Sequence, residues 1–176
     1  DSVYDKFRDL VIEKFNSYKV GDPMEKSTDV GPMSSSKQRD TLHKQVQESV
    51  DKGATITIGG EVPDKPGAFY PPTILENIKP DQPAYKDELF GPVAALIRAK
   101  DQDDAFRIAN DSRYGLGGAI FSKDEEKAIN LAQKHFDTGM VYINGYNLVN
   151  PGLPFGGVKD SGYGREHGGF GIKEFV

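Results

Sequence analysis

From Pro92 onward the chain alternates strand and helix patterns, and this alternation restricts the possible folds more than any other feature. Residues 93–99 form a nearly continuous apolar run, the pattern of a buried parallel strand. Residues 101–110 predict a helix with Ala105, Phe106, Ile108 and Ala109 turned inward. Residues 116–121 predict a strand, 123–136 a helix and 140–144 a strand. Parallel neighbours need a crossover, so strand and helix in repeated alternation with short connections imply an α/β fold. The expected architecture is a mostly parallel sheet with helices on both faces.

The first half is less regular. Val3, Tyr4, Phe7, Leu10, Val11 and Phe15 recur at helical spacing behind Ser2, which predicts an amphipathic helix capped by that serine and reaching about Tyr18. After the loop VGDPMEKSTDVGPM, serines 34 to 36 should cap a second helix with Leu42, Val46 and Val50 on one face and Gly53 at its end. Residues 54–58 read as a short strand closed by Gly59 and Gly60. The stretch GAFYPPTILENI reads as an extended segment whose prolines suit a sheet edge. Beyond Asn144 the tail is loop-rich and should end in a short helix at 172–175. At 176 residues the chain has the length of a single domain or a large part of one.

Several function classes are excluded by composition. A net charge of −5 with lysines scattered among Asp and Glu leaves no basic footprint for a nucleic acid. No apolar run approaches the roughly 20 residues that cross a bilayer, and DSVYDKFRDL lacks a signal-peptide layout, so a cytoplasmic location is expected. Without cysteine there can be no disulfide, thiolate metal site or thiol nucleophile within these residues. His43, His135 and His167 are far apart with no partner at ligand spacing; no metal site is expected, and they read as surface residues. Asp103, Asp104, Asp124, Glu125 and Glu126 stand at predicted helix starts, where the helix dipole accounts for them.

Two motifs could carry chemistry. In Glu88-Leu89-Phe90-Gly91-Pro92, residues i and i+2 of an extended segment point the same way. Glu88 could then accept hydrogen bonds from vicinal hydroxyls while the Phe90 ring offers a flat apolar wall, a pairing that suits the ribose and base of a nucleotide. A surface carboxylate beside a core phenylalanine is the commoner cause of such a pattern in an arbitrary sequence. The second motif is PFGGVKDSGYGRE, residues 154–166, whose glycines demand sharp turns or close approaches. A ligand loop and a compact surface loop pinned by Arg165 and Glu166 both fit it. Neither a dinucleotide fingerprint nor a P-loop pattern is present.

Taken in order, YDKF, VGDP, GPM, KGATITIGG, the Tyr-Pro-Pro-Thr-Ile run, KDELFGPV, NDSRYGLGGAIFSKD, GMVYIN and PFGGVKDSGYGRE resemble the aldehyde dehydrogenase family over essentially the whole chain. The resemblance implies a single-domain segment, residues 1–176, of that family's catalytic domain, needing NAD or NADP. It also implies that Glu88 holds the nicotinamide ribose, that Phe90 flanks the nicotinamide, and that Asn144 and Phe155 help shape the substrate pocket. No catalytic residue is expected here: the family's nucleophilic cysteine, its base glutamate and the cofactor domain would precede Asp1, and a terminal interface strand would follow Val176. This segment alone should therefore be inactive. The resemblance further implies an aldehyde substrate and a homo-oligomer, dimer or tetramer, for the intact enzyme. The closing NGYN…PFGGVKDSGYGRE…GFGIKEF wording is most similar to the succinate-semialdehyde branch. The rivals are a free-standing, non-catalytic binding module of the same fold and a related reductase of acyl phosphates or acyl-CoA.

Overall fold

The computed structural model describes residues 2–146 and 150–176, in two compact units, Asp1–Arg98 and Ala99–Val176. In the first unit helix α1 (Tyr4–Asn16) starts later and ends earlier than expected. Val3, rather than Ser2, occupies the N-cap, and no side chain caps the helix. None of its residues is buried, and Phe7 and Leu10 stay more than half exposed.

Helix α2 (Ser36–Asp51) is capped as its sequence requires: the Ser35 hydroxyl accepts the Gln38 N–H at 3.1 Å. Leu42 and Val46 are fully buried, but the third buried position is Ser49 and not Val50. Steps of four and then three residues keep 42, 46 and 49 in one stripe, and one further residue rotates Val50 off it. The buried hydroxyl of Ser49 donates to Gln45 O at 2.8 Å and accepts the Ala84 N–H at 3.0 Å. Gly53, with φ of +94°, ends the helix, as expected of a residue free to adopt that conformation.

Strands β1 (Thr55–Ile58), β2 (Thr73–Glu76) and β3 (Val93–Ala95) form one sheet in that order, β1 antiparallel and β3 parallel to β2. The proline-led segment is thus the central strand and not an edge. Pro71 and Pro72 stop short of the ladder, so their missing N–H groups cost it nothing, and Thr73, the first paired residue, donates to Pro92 O at 2.8 Å. Thr73, Ile74 and Leu75 are fully buried. Strand β3 pairs in parallel as expected, yet it has three residues and is only half-buried. A short helix, α3 (Pro83–Lys86), lies between β2 and β3. Leu42, Val46, Ala54, Tyr70, Leu75, Ile78 and Ala84 make up the core of this unit.

In the second unit the alternation is close to the sequence expectation. Helix α4 (Gln102–Asn110) is capped by Asp101, strand β5 (Gly117–Ile120) follows the two-residue β4 (Tyr114–Gly115), and α5 (Glu125–His135) is capped by Asp124. Strand β6 (Met140–Ile143) then pairs with β5 in parallel, which makes β5–α5–β6 a crossover unit. Strand β7 (Val158–Lys159) returns antiparallel to β4, and the tail ends in a 3-10 helix, Gly171–Phe175. The class is α/β. Its pairings are mixed and not mostly parallel: β1 with β2 and β4 with β7 are antiparallel, β2 with β3 and β5 with β6 parallel.

Candidate functional site

Glu88 and Phe90 lie between α3 and β3, where the backbone is drawn tight. Asp87 N–H donates to Pro83 O, Gly91 N–H to Leu89 O and Val93 N–H to Gly91 O, each at 2.8 Å. Leu89 packs against the core, while Glu88 and Phe90 on either side of it face solvent, Phe90 at 62% exposure. Both side chains are thus exposed, and Phe90 is not a core residue. Gly91 permits this: a β-carbon there would lie 2.4 Å from Leu42 Cδ2 and 3.1 Å from Met33 Cε. These two groups would suit a ribose diol beside a flat ring, with one carboxylate to accept two hydroxyls and one aromatic face to stack.

Elsewhere in the first unit a polar cluster joins α1 to the sheet, with no signal in the sequence because Tyr4 and Glu76 are 72 residues apart. Tyr4 Oη donates to Glu76 Oε1 at 2.9 Å, Thr57 Oγ1 to Glu76 Oε2 at 2.5 Å, and the Arg98 guanidinium lies 4.0 Å from the centre of the Tyr4 ring. Burial, and then the hydrogen bond and charge of Glu76, push the Tyr4 phenol up to about 12, against the opposing pull of Arg98 and Arg8.

Asn144 ends β6 in the second unit with φ of +52°. Its Oδ1 accepts the Ser122 N–H at 2.8 Å. Its Nδ2 donates to Ser122 O at 2.8 Å and to Glu125 Oε1 at 3.1 Å. Phe155 is half-buried and exchanges backbone hydrogen bonds with Glu166, both at 2.8 Å; its ring centre lies 6.1 Å from that of His167. Residues 147–149, in the loop 147–153 that contains no arginine to grip a substrate carboxylate, lie outside the described residues.

The glycine-rich loop is held by cations that reach backbone carbonyls. Arg165 Nη1 donates to Gly157 O at 2.8 Å and Gly164 O at 2.6 Å, and Lys159 Nζ donates to Asn110 O and Ser112 O while pairing with Asp137 at 3.0 Å. Arg165 thus pins the loop by its side chain, as expected, whereas Glu166 does so by its backbone. A cavity of about 420 Å³ lies among α4, β5 and α5, but its walls are mostly apolar and neither Asn144 nor Phe155 lines it.

No group of three or more potential ligands for a metal occurs among the described residues, and no helix of the described residues is long and apolar enough to cross a membrane. The histidines are only partly a surface set. His135 is exposed, but His43 and His167 are half-buried, and His43 Nδ1 meets the Tyr70 hydroxyl at 3.3 Å. Asp104 and Asp124 act on their own helices. The Lys100 N–H and then Arg107 hold the Asp104 carboxyl below its ordinary value, and Asp124 accepts the Lys127 N–H at 3.0 Å.

Residues 1–176 match the model of the aldehyde dehydrogenase family, and the chain belongs to that family. It is 48% identical to a succinate-semialdehyde dehydrogenase [NADP(+)] of Deinococcus radiodurans over all of this chain and 37% of that protein. A protein of the same name from Mycobacterium avium is 44% identical over 98% of this chain and 36% of its own length. Among solved structures, succinic semialdehyde dehydrogenase from Streptococcus pyogenes in complex with NADP+ superposes with a TM-score of 0.96 at 42% identity, over 100% of this chain and 38% of that one. An aldehyde dehydrogenase of Mycobacterium tuberculosis complexed with NAD+ gives 0.93 at 36% identity, over 99% and 36%. The chain therefore spans little more than a third of the length of these relatives.

Proposed function

We propose that this chain is a segment of the catalytic domain, both units included, of an NAD(P)-dependent aldehyde dehydrogenase that oxidises succinate semialdehyde to the acid. The observation that carries this is the paired exposure of Glu88 and Phe90 on either side of the half-buried Leu89, a grip of the right chemistry for a nicotinamide ribose. The likeness to proteins named for that substrate supports the choice of aldehyde.

Glu88 would hold the ribose hydroxyls and Phe90 would flank the nicotinamide ring, and the bound cofactor supplies the hydride acceptor. Asn144 and Phe155 would shape the aldehyde mouth. In this mechanism a cysteine thiolate attacks the aldehyde and a glutamate activates the hydrolytic water. The chain has no cysteine, so that thiolate belongs to the part of the family's length that these residues do not span. A cytoplasmic homo-oligomer completes the proposal; the exposed Phe121, Ile172 and Phe175 are surfaces that further chain or a partner copy would cover.

The test is an assay of the full-length protein carrying this chain, with succinate semialdehyde and shorter and longer aldehydes, under NAD+ and NADP+, following reduced cofactor by absorbance. Oxidation with the highest kcat/KM on succinate semialdehyde is expected. Oxidation of none of these aldehydes under either cofactor would overturn the proposal.

A further inference from the structure

Every hydrogen of the Asn144 amide is committed within the second unit. Nδ2 spends both on Ser122 O and Glu125 Oε1, and Oδ1 takes the Ser122 N–H. The Asn144 backbone N–H donates to Ile120 O at 2.9 Å, extending the β5–β6 ladder to this residue. At φ of +52° the chain turns sharply out of β6, a conformation asparagine tolerates better than most residues. Just beyond the turn stands Tyr146, 68% exposed, its ring centre 6.0 Å from that of Tyr142. Glu125 is in the first turn of α5, where a carboxylate is favoured by the helix dipole. The end of β5, the start of α5 and the exit of β6 are thus closed by one side chain.

We propose that Glu125, together with the Ser122 backbone, is a positioning residue for the aldehyde mouth, acting through Asn144. Asn144 shapes the mouth as a latch that fixes the exit of β6, and not as a hydrogen-bond donor to substrate, because no donor is left. This rests on the dehydrogenase function proposed above. It predicts that disturbing Glu125, which need not touch substrate, changes aldehyde binding before it changes turnover.

The test uses the full-length protein with Glu125→Ala, Glu125→Gln, Asn144→Gly and the double variant Glu125→Ala/Asn144→Gly. Glycine keeps the backbone turn while removing the latch. Expected are an aldehyde KM raised about five-fold in Glu125→Ala and Asn144→Gly, with kcat and cofactor KM within about two-fold, as for loss of one or two hydrogen bonds that affect binding only. Glu125→Gln, whose amide oxygen can still accept, should stay near wild type, and the double variant should be no worse than Asn144→Gly.

A silent Glu125→Ala beside a defective Asn144→Gly, or additive effects in the double variant, would overturn the latch. A protein that oxidises no aldehyde would instead sink the dehydrogenase assignment. The latch is then read from hydrogen exchange at the Asn144 and Ser122 amides, which donate to Ile120 O and Asn144 Oδ1, about ten-fold faster in Glu125→Ala if it exists and unchanged if it does not.

Discussion

Tyr4 donates its phenol hydrogen to Glu76 Oε1 at 2.9 Å, and through this bond the first helix is tied to the central strand of the three-stranded sheet. Tyr4→Phe keeps the ring and its contact with Arg98 but leaves Glu76 with Thr57 alone, and should cost about 1 kcal/mol in urea unfolding. The pH dependence has a definite sign. The phenol is raised from 10.0 to about 12 in the folded protein, so its contribution is complete below pH 10 and is lost as pH rises toward 12. Tyr70, raised by burial to about 12, acts in the same window. Stability of Tyr4→Phe should therefore fall less steeply than wild type between pH 10 and 12; parallel curves would remove the role assigned to this bond.

Glu88 and Phe90 offer a separation of binding from stability. Because both side chains face solvent, Glu88→Ala and Phe90→Ala should leave the unfolding free energy within about 0.5 kcal/mol of wild type. In the full-length enzyme Glu88→Ala should raise the cofactor Kd about ten-fold, as for hydrogen bonds to a charged acceptor. Titration with NAD+ and NADP+ followed by quenching of protein fluorescence measures it. Unchanged cofactor affinity in both variants would refute the ribose grip.

Gly139 backs directly onto the glycine-rich loop. A β-carbon there would lie 1.9 Å from Gly156 O, a backbone atom that no rotamer change can move aside. Gly139→Ala should therefore destabilise by more than about 3 kcal/mol and displace the loop that carries Phe155. Gly162 is the informative control: its φ is +110° but no atom lies within 4 Å of the added carbon, so Gly162→Ala should cost about 1 kcal/mol from backbone strain alone. Equal losses in the two variants, measured by thermal unfolding, would show that close approach is not what the loop requires.

Local chemistry explains what the sequence foretold. Asp101, Asp124 and Ser35 each cap the helix that follows by accepting an N–H three residues on, so α2, α4 and α5 could be placed within a residue or two. The alternation of Leu89 inward with Glu88 and Phe90 outward is likewise a two-residue periodicity. Pairing between distant segments was not legible. The prolines before Thr73 argued for an edge, but whether a strand is central depends on neighbours recruited from residues 55–58 and 93–95. The partners of Asn144 lie 19 and 22 residues before it, and β4 meets β7 across more than forty positions. Those contacts depend on how the whole chain closes.

The buried Ser49 hydroxyl holds Ala84, and one helical turn later the Lys52 carbonyl accepts from the fully buried Gln82, whose own Oε1 accepts the Lys79 N–H. The segment that enters α3 is therefore sewn to the end of α2 through side chains shut away from water, and α3 leads straight to Glu88. The proposed cofactor grip would inherit its placement from an interior seam. Substitutions that loosen nicotinamide binding should accordingly turn up at Ser49 and Gln82, residues that no ligand could reach.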